Sequence, residues 1–293
     1  MTENRTERWQ ARPSLNVARG GLIGTTTGTT YAIGGFTSGF GAGLDSVERL
    51  DPAGGHWRLI APMPTARGNP AAATVRGDVY VLGGYAGDKT LDVVEILDGD
   101  RWRTGRPLPG ARGGAAAAAI GDRLYVVGGF DAADNATTAV SVYDVHDDAW
   151  HDAHPMRTSR GLLKAEVLDG HLYAIGGTVD VQVFQATVER YDPAADRWHT
   201  VAPLHTGRGN PGVAAAGGRR IFVVGGASAD GPLRTTEVYD PRADRWRTLD
   251  PLLPVGRASF SAAVHDDLLV AFGGFELTAG TPTASSRVEA LRI

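Results

Sequence analysis

Short apolar and polar segments follow one another in a fixed order along the whole chain. A stretch of small apolar residues, such as Ala71–Val75, is followed by a polar turn and an apolar run that ends in Gly-Gly. A polar loop, a segment such as Val188-Glu189-Arg190-Tyr191 and a turn come next, and a segment around Trp198 ends before Pro203. Segments of four or five residues bounded by turn residues predict strands, four in each unit.

Three markers show that this unit is repeated. Apolar runs end in Gly-Gly at spacings of 49, 45, 48, 49 and 48 residues, and the six tryptophans are 48, 45, 48, 48 and 48 residues apart. An arginine keeps the same period at Arg19, Arg67, Arg112, Arg160, Arg208 and Arg257. Repeats of four strands at this period predict an all-β, six-bladed β-propeller with four antiparallel strands in each blade.

The phase of the repeat predicts how the ring closes. Trp9 precedes the first Gly-Gly pair, and no tryptophan follows the last one. We therefore expect residues 5–12 to supply the fourth strand of the last blade, next to residues 288–291, which leaves no open sheet edge at the seam. We expect residues 1–293 to form one domain and a monomer.

Composition narrows the function classes. Forty glycines agree with many turns, and the absence of cysteine excludes disulfides and thiolate chemistry. A net charge of −4 argues against nucleic-acid binding. The most apolar stretch, residues 115–120, is too short to cross a membrane, and residues 1–8 lack the apolar core of a secretory signal. With Met1 as the native start, we therefore expect a cytoplasmic protein.

The arginine, the apolar run into Gly-Gly, the tyrosine or leucine of the third strand and the tryptophan together resemble the kelch-repeat family. The resemblance covers essentially the whole chain and implies a stand-alone kelch protein of the bacterial type. It implies the fold strongly and the function weakly. It also implies that the loops after Gly-Gly and the loops entering each first strand gather at one ligand-binding face, hereafter the loop face.

The six arginines have two interpretations. They brace neighbouring loops through the recurring glutamates Glu48, Glu95, Glu189, Glu237 and Glu289, or they contact an anionic ligand. Glycine follows five of the six arginines, which would leave the guanidinium groups open. Blade three carries Ser141 in the glutamate position, so its arginine, or that of a neighbouring blade, is expected to lack a partner.

Blade four departs from the repeat in its first strand. Lys164 and Glu166 stand where other blades carry small residues, and side-chain alternation puts both on one face of the strand that lines the channel. They form either a salt bridge that fills the channel or an acid/base pair. With Arg160 and His205, they are the candidate catalytic residues.

The loop face supplies the remaining candidates. Aromatic side chains follow Gly-Gly at Phe36, Tyr85, Phe130 and Phe275. Asn69 and Asn210 lie two residues after their arginines in opposite blades, and Arg157 and His205 share another loop position. Aromatic, arginine, asparagine and histidine side chains around a funnel suit a small polar ligand.

Two functions remain open. The first is a binding protein for a small anionic or polar molecule, or an acidic peptide, at the loop face and channel. The alternative is an enzyme without metal or cofactor, of the isomerase or lyase type, such as a mutarotase, epimerase or cyclase acting on a sugar acid or biosynthetic metabolite. The histidines do not form a convincing metal-ligand pattern, and no phosphate-binding loop is present in the sequence.

Overall fold

The computed structural model describes residues 8–26, 28–39, 41–51, 55–180 and 182–293. It confirms the all-β propeller of six blades, each a sheet of four antiparallel strands. The strands of blade one are Ile23–Thr26, Thr30–Ile33, Val47–Leu50 and Trp57–Ile60, and those of blade two are Ala71–Val75, Asp78–Leu82, Val94–Asp98 and Arg101–Thr104. Blade three consists of Ala116–Ile120, Arg123–Val127, Val140–Asp144 and Ala149–Ala153, and blade four of Lys164–Leu168, His171–Ile175, Val188–Asp192 and Arg197–Val201. Blade five consists of Gly212–Ala216, Arg220–Val224, Thr236–Asp240 and Arg245–Leu249.

The two ends of the chain meet in the sixth blade. Its strands are Ser261–His265, Leu268–Phe272 and Val288–Arg292, with Gln10–Arg12 as the outer strand. Gln10 pairs with Ala290 and Arg12 with Val288, which confirms the predicted closure. Residues 5–7 of the predicted closing segment lie outside the described residues.

Each strand position has its own composition for a physical reason. The first strands contact their neighbours around the ring and line the channel, so small residues fit there. The second strands are buried on both faces between blades, as in Leu172–Ile175, which explains the uninterrupted apolar runs. The fourth strands are exposed except for the tryptophan, whose side chain packs toward the neighbouring blade.

Three short hairpins extend the loop after Gly-Gly in blades two, five and six. Their strands are Tyr85–Ala86 with Lys89–Thr90, Ala227–Ser228 with Gly231–Pro232, and Phe275–Thr278 with Thr281–Ala284. Among the described residues there is no helix long and apolar enough to cross a membrane.

Candidate functional site

Five of the six repeat arginines are buried inside their blades. Arg160 donates from Nη1 to the carbonyl oxygens of Gly176 at 3.0 Å and Thr187 at 2.6 Å, and from Nη2 to Glu189 Oε1 at 3.0 Å. Burial lowers the pKa of Arg160 to about 10, and Glu189 opposes this shift. The same fully buried pairing with the third-strand glutamate occurs at Arg19, Arg67, Arg208 and Arg257.

These glutamates also hold the loops that enter the first strands. Glu189 accepts hydrogen bonds from the backbone N–H groups of Arg157 at 2.8 Å and Thr158 at 3.2 Å. The five buried arginines therefore brace the loops, and the expectation that their guanidinium groups reach a ligand is corrected. The reason is geometric, because each guanidinium points into its own blade, where backbone carbonyls accept from its Nη1 and a carboxylate accepts from its Nη2.

Blade three is the exception that the sequence predicted. Arg112 is only partly buried, and its Nη2 lies 3.4 Å from the hydroxyl of Ser141. Burial lowers the pKa of Arg112, and the charges of Asp152 and Asp131 oppose this shift. Asp152 pairs with Ser141 across the sheet, so a carboxylate on the fourth strand partly replaces the missing glutamate.

The glycine that follows five of the six arginines has a packing role. An added Cβ on Gly113 would lie 2.1 Å from the Tyr85 ring, and one on Gly161 would lie 2.1 Å from the Phe130 ring. Phe36 and Phe275 cover Gly68 and Gly20 in the same way. These four glycines therefore accommodate the aromatic residue of the preceding blade, and Gly209 accommodates Thr178 in the same way, which corrects the view that the glycines expose the guanidinium groups.

A closed circle of backbone hydrogen bonds surrounds the propeller axis at the loop face. In each blade the residue two positions after the arginine donates its N–H to the carbonyl of the equivalent residue in the preceding blade, at 2.7–3.0 Å. All six have φ between 45° and 65°, the left-handed region. The members are Gly21, Asn69, Gly114, Leu162, Asn210 and Ser259.

Two members of this circle meet across the axis. Asn210 donates from Nδ2 to Asn69 Oδ1 at 3.3 Å and also to Ser259 Oγ at 3.2 Å. Asn69 and Asn210 belong to opposite blades, so their contact spans the opening of the circle. Both side chains are buried, and they close the channel at the loop face instead of facing a ligand there.

A pocket of about 490 Å³ lies on the loop face over blades two to four. Tyr85 and Phe130, both predicted, form its aromatic wall, and burial raises the pKa of the Tyr85 hydroxyl, which keeps it protonated. The lining also contains Leu162 and Val179, and three aspartates: Asp88, Asp134 and Asp180. Phe36 is buried and Phe275 half-buried in other blades, away from this lining.

Lys164 and Glu166 line a cavity of about 300 Å³ in the central channel. Among the described residues neither forms an ion pair, so the salt bridge, one of the two interpretations of this pair, is not present. Burial lowers the pKa of Lys164 to about 8. It raises the pKa of Glu166 to about 7, although hydrogen bonds from the backbone of Val167 and Ala215 oppose this shift.

Comparison with protein families agrees with this architecture. The family described as the KLHDC2/KLHL20/DRC7 Kelch-repeats domain matches residues 101–274, and the Kelch motif matches residues 21–64 and 66–109. The chain belongs to the kelch-repeat family. A kelch propeller is a fold suited to binding a ligand or peptide.

Several curated proteins are similar to segments of this kelch chain. Kelch-like protein 36 of Bos taurus is 30% identical over 110 residues, which is 34% of this chain and 17% of that protein. Kelch-like protein 4 of Homo sapiens is 40% identical over 57 residues, covering 20% and 8%. Kelch-like protein 35 of Mus musculus is 44% identical over 61 residues, covering 21% and 10%. The matched segments thus span less than a fifth of each relative.

The four candidate catalytic residues of this kelch propeller are not brought together. Lys164 and Glu166 share the channel, whereas Arg160 is enclosed in its blade. His205 is exposed, and its Nδ1 lies 3.3 Å from Thr248 Oγ1. Arg157 donates from Nε to the carbonyl of Trp198 at 3.3 Å, and neither Arg157 nor His205 lines the two cavities.

The repeat pattern of this kelch chain does not mark the three aspartates of the loop face. Asp88, Asp134 and Asp180 lie two to four residues beyond the position that follows Gly-Gly. The signal in the sequence is the acidic residue that each of these three loops carries, and a comparison of the loops between blades would have identified it. In the part of the chain that the structure describes, no group of three or more histidine, aspartate or glutamate side chains is placed to hold a metal.

Proposed function

We propose that this kelch propeller is a binding protein whose ligand occupies the loop-face pocket between Tyr85, Phe130 and Leu162. The observation that supports this proposal is the pocket itself, about 490 Å³ with aromatic and aliphatic walls and three carboxylates. Kelch domains generally mediate protein–protein binding, so a peptide segment of a partner protein is the favoured ligand. Concave, mostly apolar sites with a few polar groups are typical of ligand binding.

The charge of the pocket favours a cationic group on that ligand. The acidic ligand expected from the sequence depended on accessible guanidinium groups, and five of the six are buried. The pocket instead carries Asp88, Asp134 and Asp180 beside two aromatic rings. Aromatic faces and carboxylates both attract ammonium and guanidinium groups. We therefore propose that a lysine or arginine side chain of the partner inserts here.

A peptide array tests this proposal. Short peptides that carry one lysine, one arginine or one glutamate in otherwise uncharged sequences are probed with the purified protein, and the strongest binders are titrated in solution. We expect lysine or arginine peptides to be selected. Selection of glutamate peptides over basic ones would contradict the proposed charge preference.

A matched pair of triple variants locates the binding. D88N/D134N/D180N removes three charges and keeps the shape and the turn hydrogen bonds, since asparagine also tolerates the positive φ of Asp134. D147N/D169N/D266N makes the same charge change in turns at the other ends of the strands, with Asp169 and Asp266 also at positive φ. We expect the first variant to weaken basic-peptide binding by about tenfold or more and the second to have little effect. Equal loss in both variants would place the binding elsewhere.

The channel supports a second candidate function, a cofactor-free isomerase or lyase that acts on a sugar acid or related metabolite. Lys164 and Glu166 titrate near pH 8 and 7, where general acid/base groups work efficiently. Incubation of wild-type protein with sugar acids, followed by proton NMR, tests this function. We expect conversion by wild type and not by Glu166→Gln; equal spectra of substrate with and without wild type would reject it.

A further inference from the structure

The central channel contains two ionisable groups in an otherwise uncharged wall. Every other residue that lines the cavity of about 300 Å³ is alanine, glycine, serine, threonine, valine or isoleucine. Lys164 and Glu166 project from the same face of the first strand of blade four, with Cα atoms about 6.5 Å apart. This cavity, lined by the first strands of all six blades, is hereafter the chamber.

The two groups are held differently. Glu166 accepts a hydrogen bond from the N–H of Val167 at 3.1 Å, so its carboxylate is fixed against the wall. Among the described residues, the Lys164 ammonium has no hydrogen-bond or ion-pair partner, and desolvation is the cause of its lowered pKa. A half-buried ammonium that faces the cavity with three donors and no protein acceptor favours the binding of an anion.

The chamber is closed at the loop face. Leu162, two residues before Lys164, belongs to the circle of backbone hydrogen bonds, and the Asn69–Asn210 contact spans that circle. Lys164 therefore lies at the closed end of the chamber, and Glu166 lies farther along the same strand, toward the opposite face. This closure also separates the chamber from the loop-face pocket, which Leu162 lines from outside.

We propose that the chamber is a second ligand site, which takes a small carboxylate that also carries a hydroxyl or amino group. The carboxylate binds the Lys164 ammonium at the closed end, and the hydroxyl or amino group donates to the Glu166 carboxylate. A cavity of about 300 Å³ has room for such a molecule, because it equals the liquid volume of about ten waters. The site is independent of the peptide site and requires no turnover.

The two lysines of the chain make a direct test available. Lys164 lies in the chamber and Lys89 is exposed on a loop-face hairpin, so lysine labelled with ¹³C at Cε gives two signals, one of them an internal control. The probes are three carboxylates of similar size: lactate carries a hydroxyl group, alanine carries an amino group, and propionate carries neither. We expect saturable shifts of the Lys164 signal with lactate or alanine, weaker shifts with propionate, and no change at Lys89. The same response at both lysines, or none at Lys164, would overturn the proposal; an equal response to all three probes would overturn the role of Glu166.

Variants separate binding from folding. K164A/E166A gives blade four the residues that blades two and three already carry there, Ala71 with Ala73 and Ala116 with Ala118, so we expect it to fold. Calorimetric titration with the probe that shifts Lys164 should show binding to wild type, Lys89→Ala and D88N/D134N/D180N, and at least a tenfold loss in K164A/E166A. Undiminished binding to a folded K164A/E166A would overturn the chamber site, whatever the outcome for the peptide site.

Discussion

The amide of Asn210 donates a hydrogen bond to the amide oxygen of Asn69 at 3.3 Å, across the axis of the propeller. The two residues are 141 positions apart in the chain and lie in opposite blades. Both have φ of 45°, which asparagine tolerates better than most residues. Their backbones belong to the circle of hydrogen bonds around the axis, and their side chains span the opening of that circle.

The positive φ of these asparagines predicts that substitution by glycine destabilises the protein less than substitution by alanine, the reverse of the usual order. Asn210→Gly removes the cross-axis bond but fits the positive φ, as Gly21 and Gly114 do in other blades. Asn210→Ala removes the same bond and adds strain of about 1 kcal/mol. We expect Asn210→Gly to lower the free energy of unfolding by about 1 kcal/mol and Asn210→Ala by about 2 kcal/mol, measured by urea unfolding. An alanine variant as stable as the glycine variant would contradict this account.

The contact between Tyr85 and Gly113 predicts energetic coupling between neighbouring blades. Gly113→Ala forces a Cβ into the Tyr85 ring, so we expect it to cost about 1–3 kcal/mol of unfolding free energy. In a Tyr85→Ala background, Gly113→Ala should cost much less unfolding free energy. Blade six already shows this combination, because Ala258 stands in the glycine position and Ala227 of the preceding blade stands in the aromatic position. A double-mutant cycle measured by thermal and urea unfolding should give a coupling of at least about 1 kcal/mol. Additive effects would show that the ring does not require the glycine.

The buried ion pairs predict a large cost for removal of one partner. Glu189→Ser copies the blade-three residue into blade four and leaves the fully buried Arg160 without its carboxylate. We expect a loss of about 3–5 kcal/mol in urea unfolding. The control R160M/E189L replaces both charges by apolar side chains and should be more stable than Glu189→Ser. If Glu189→Ser loses less unfolding free energy than R160M/E189L, Glu189 does not compensate the buried guanidinium of Arg160.

The chamber predicts a pH dependence of stability. Between pH 4.5 and about 7 the folded protein keeps the Glu166 proton that the unfolded chain releases, so this group lowers stability as pH rises. Between pH 8 and 10.5 folded Lys164 has lost its proton and unfolded lysine has not, so stability rises with pH. We expect K164A/E166A to gain most over wild type between pH 7 and 8, by about 1–2 kcal/mol after allowance for channel water. A difference that is constant with pH would contradict both shifts.

Closure by the N-terminal strand predicts that Trp9 supports the whole ring. Trp9 is buried against residues of blades five and six, including Phe222, Val238 and Leu253. We expect Trp9→Ala to cost about 3–5 kcal/mol and to lower the temperature of the single cooperative transition. Trp102→Ala is the matched control, since this tryptophan occupies the same repeat position but is only partly buried, and it should cost less. Equal losses would argue against a special role for the closing strand.

The sequence by itself determined the architecture. The shared period of Gly-Gly, tryptophan and arginine specified six blades, and the phase of Trp9 specified the closing strand, because these patterns reflect local strand and turn preferences. The substitution of Ser141 for glutamate likewise predicted the different environment of Arg112. Lys164 and Glu166 were found as departures from the repeat, because alternation along a strand assigns side chains to faces without further knowledge.

Only the tertiary structure decided which repeated residues are buried and which line a cavity. The direction of an arginine side chain depends on the carbonyls and carboxylate that the next strands bring to it, and the glycine beside it depends on a ring from the preceding blade. The Asn69–Asn210 contact and the aspartate-lined pocket arise between blades that are distant in sequence. Such contacts are set by the number of blades and the closure of the ring, and no local sequence pattern contains them.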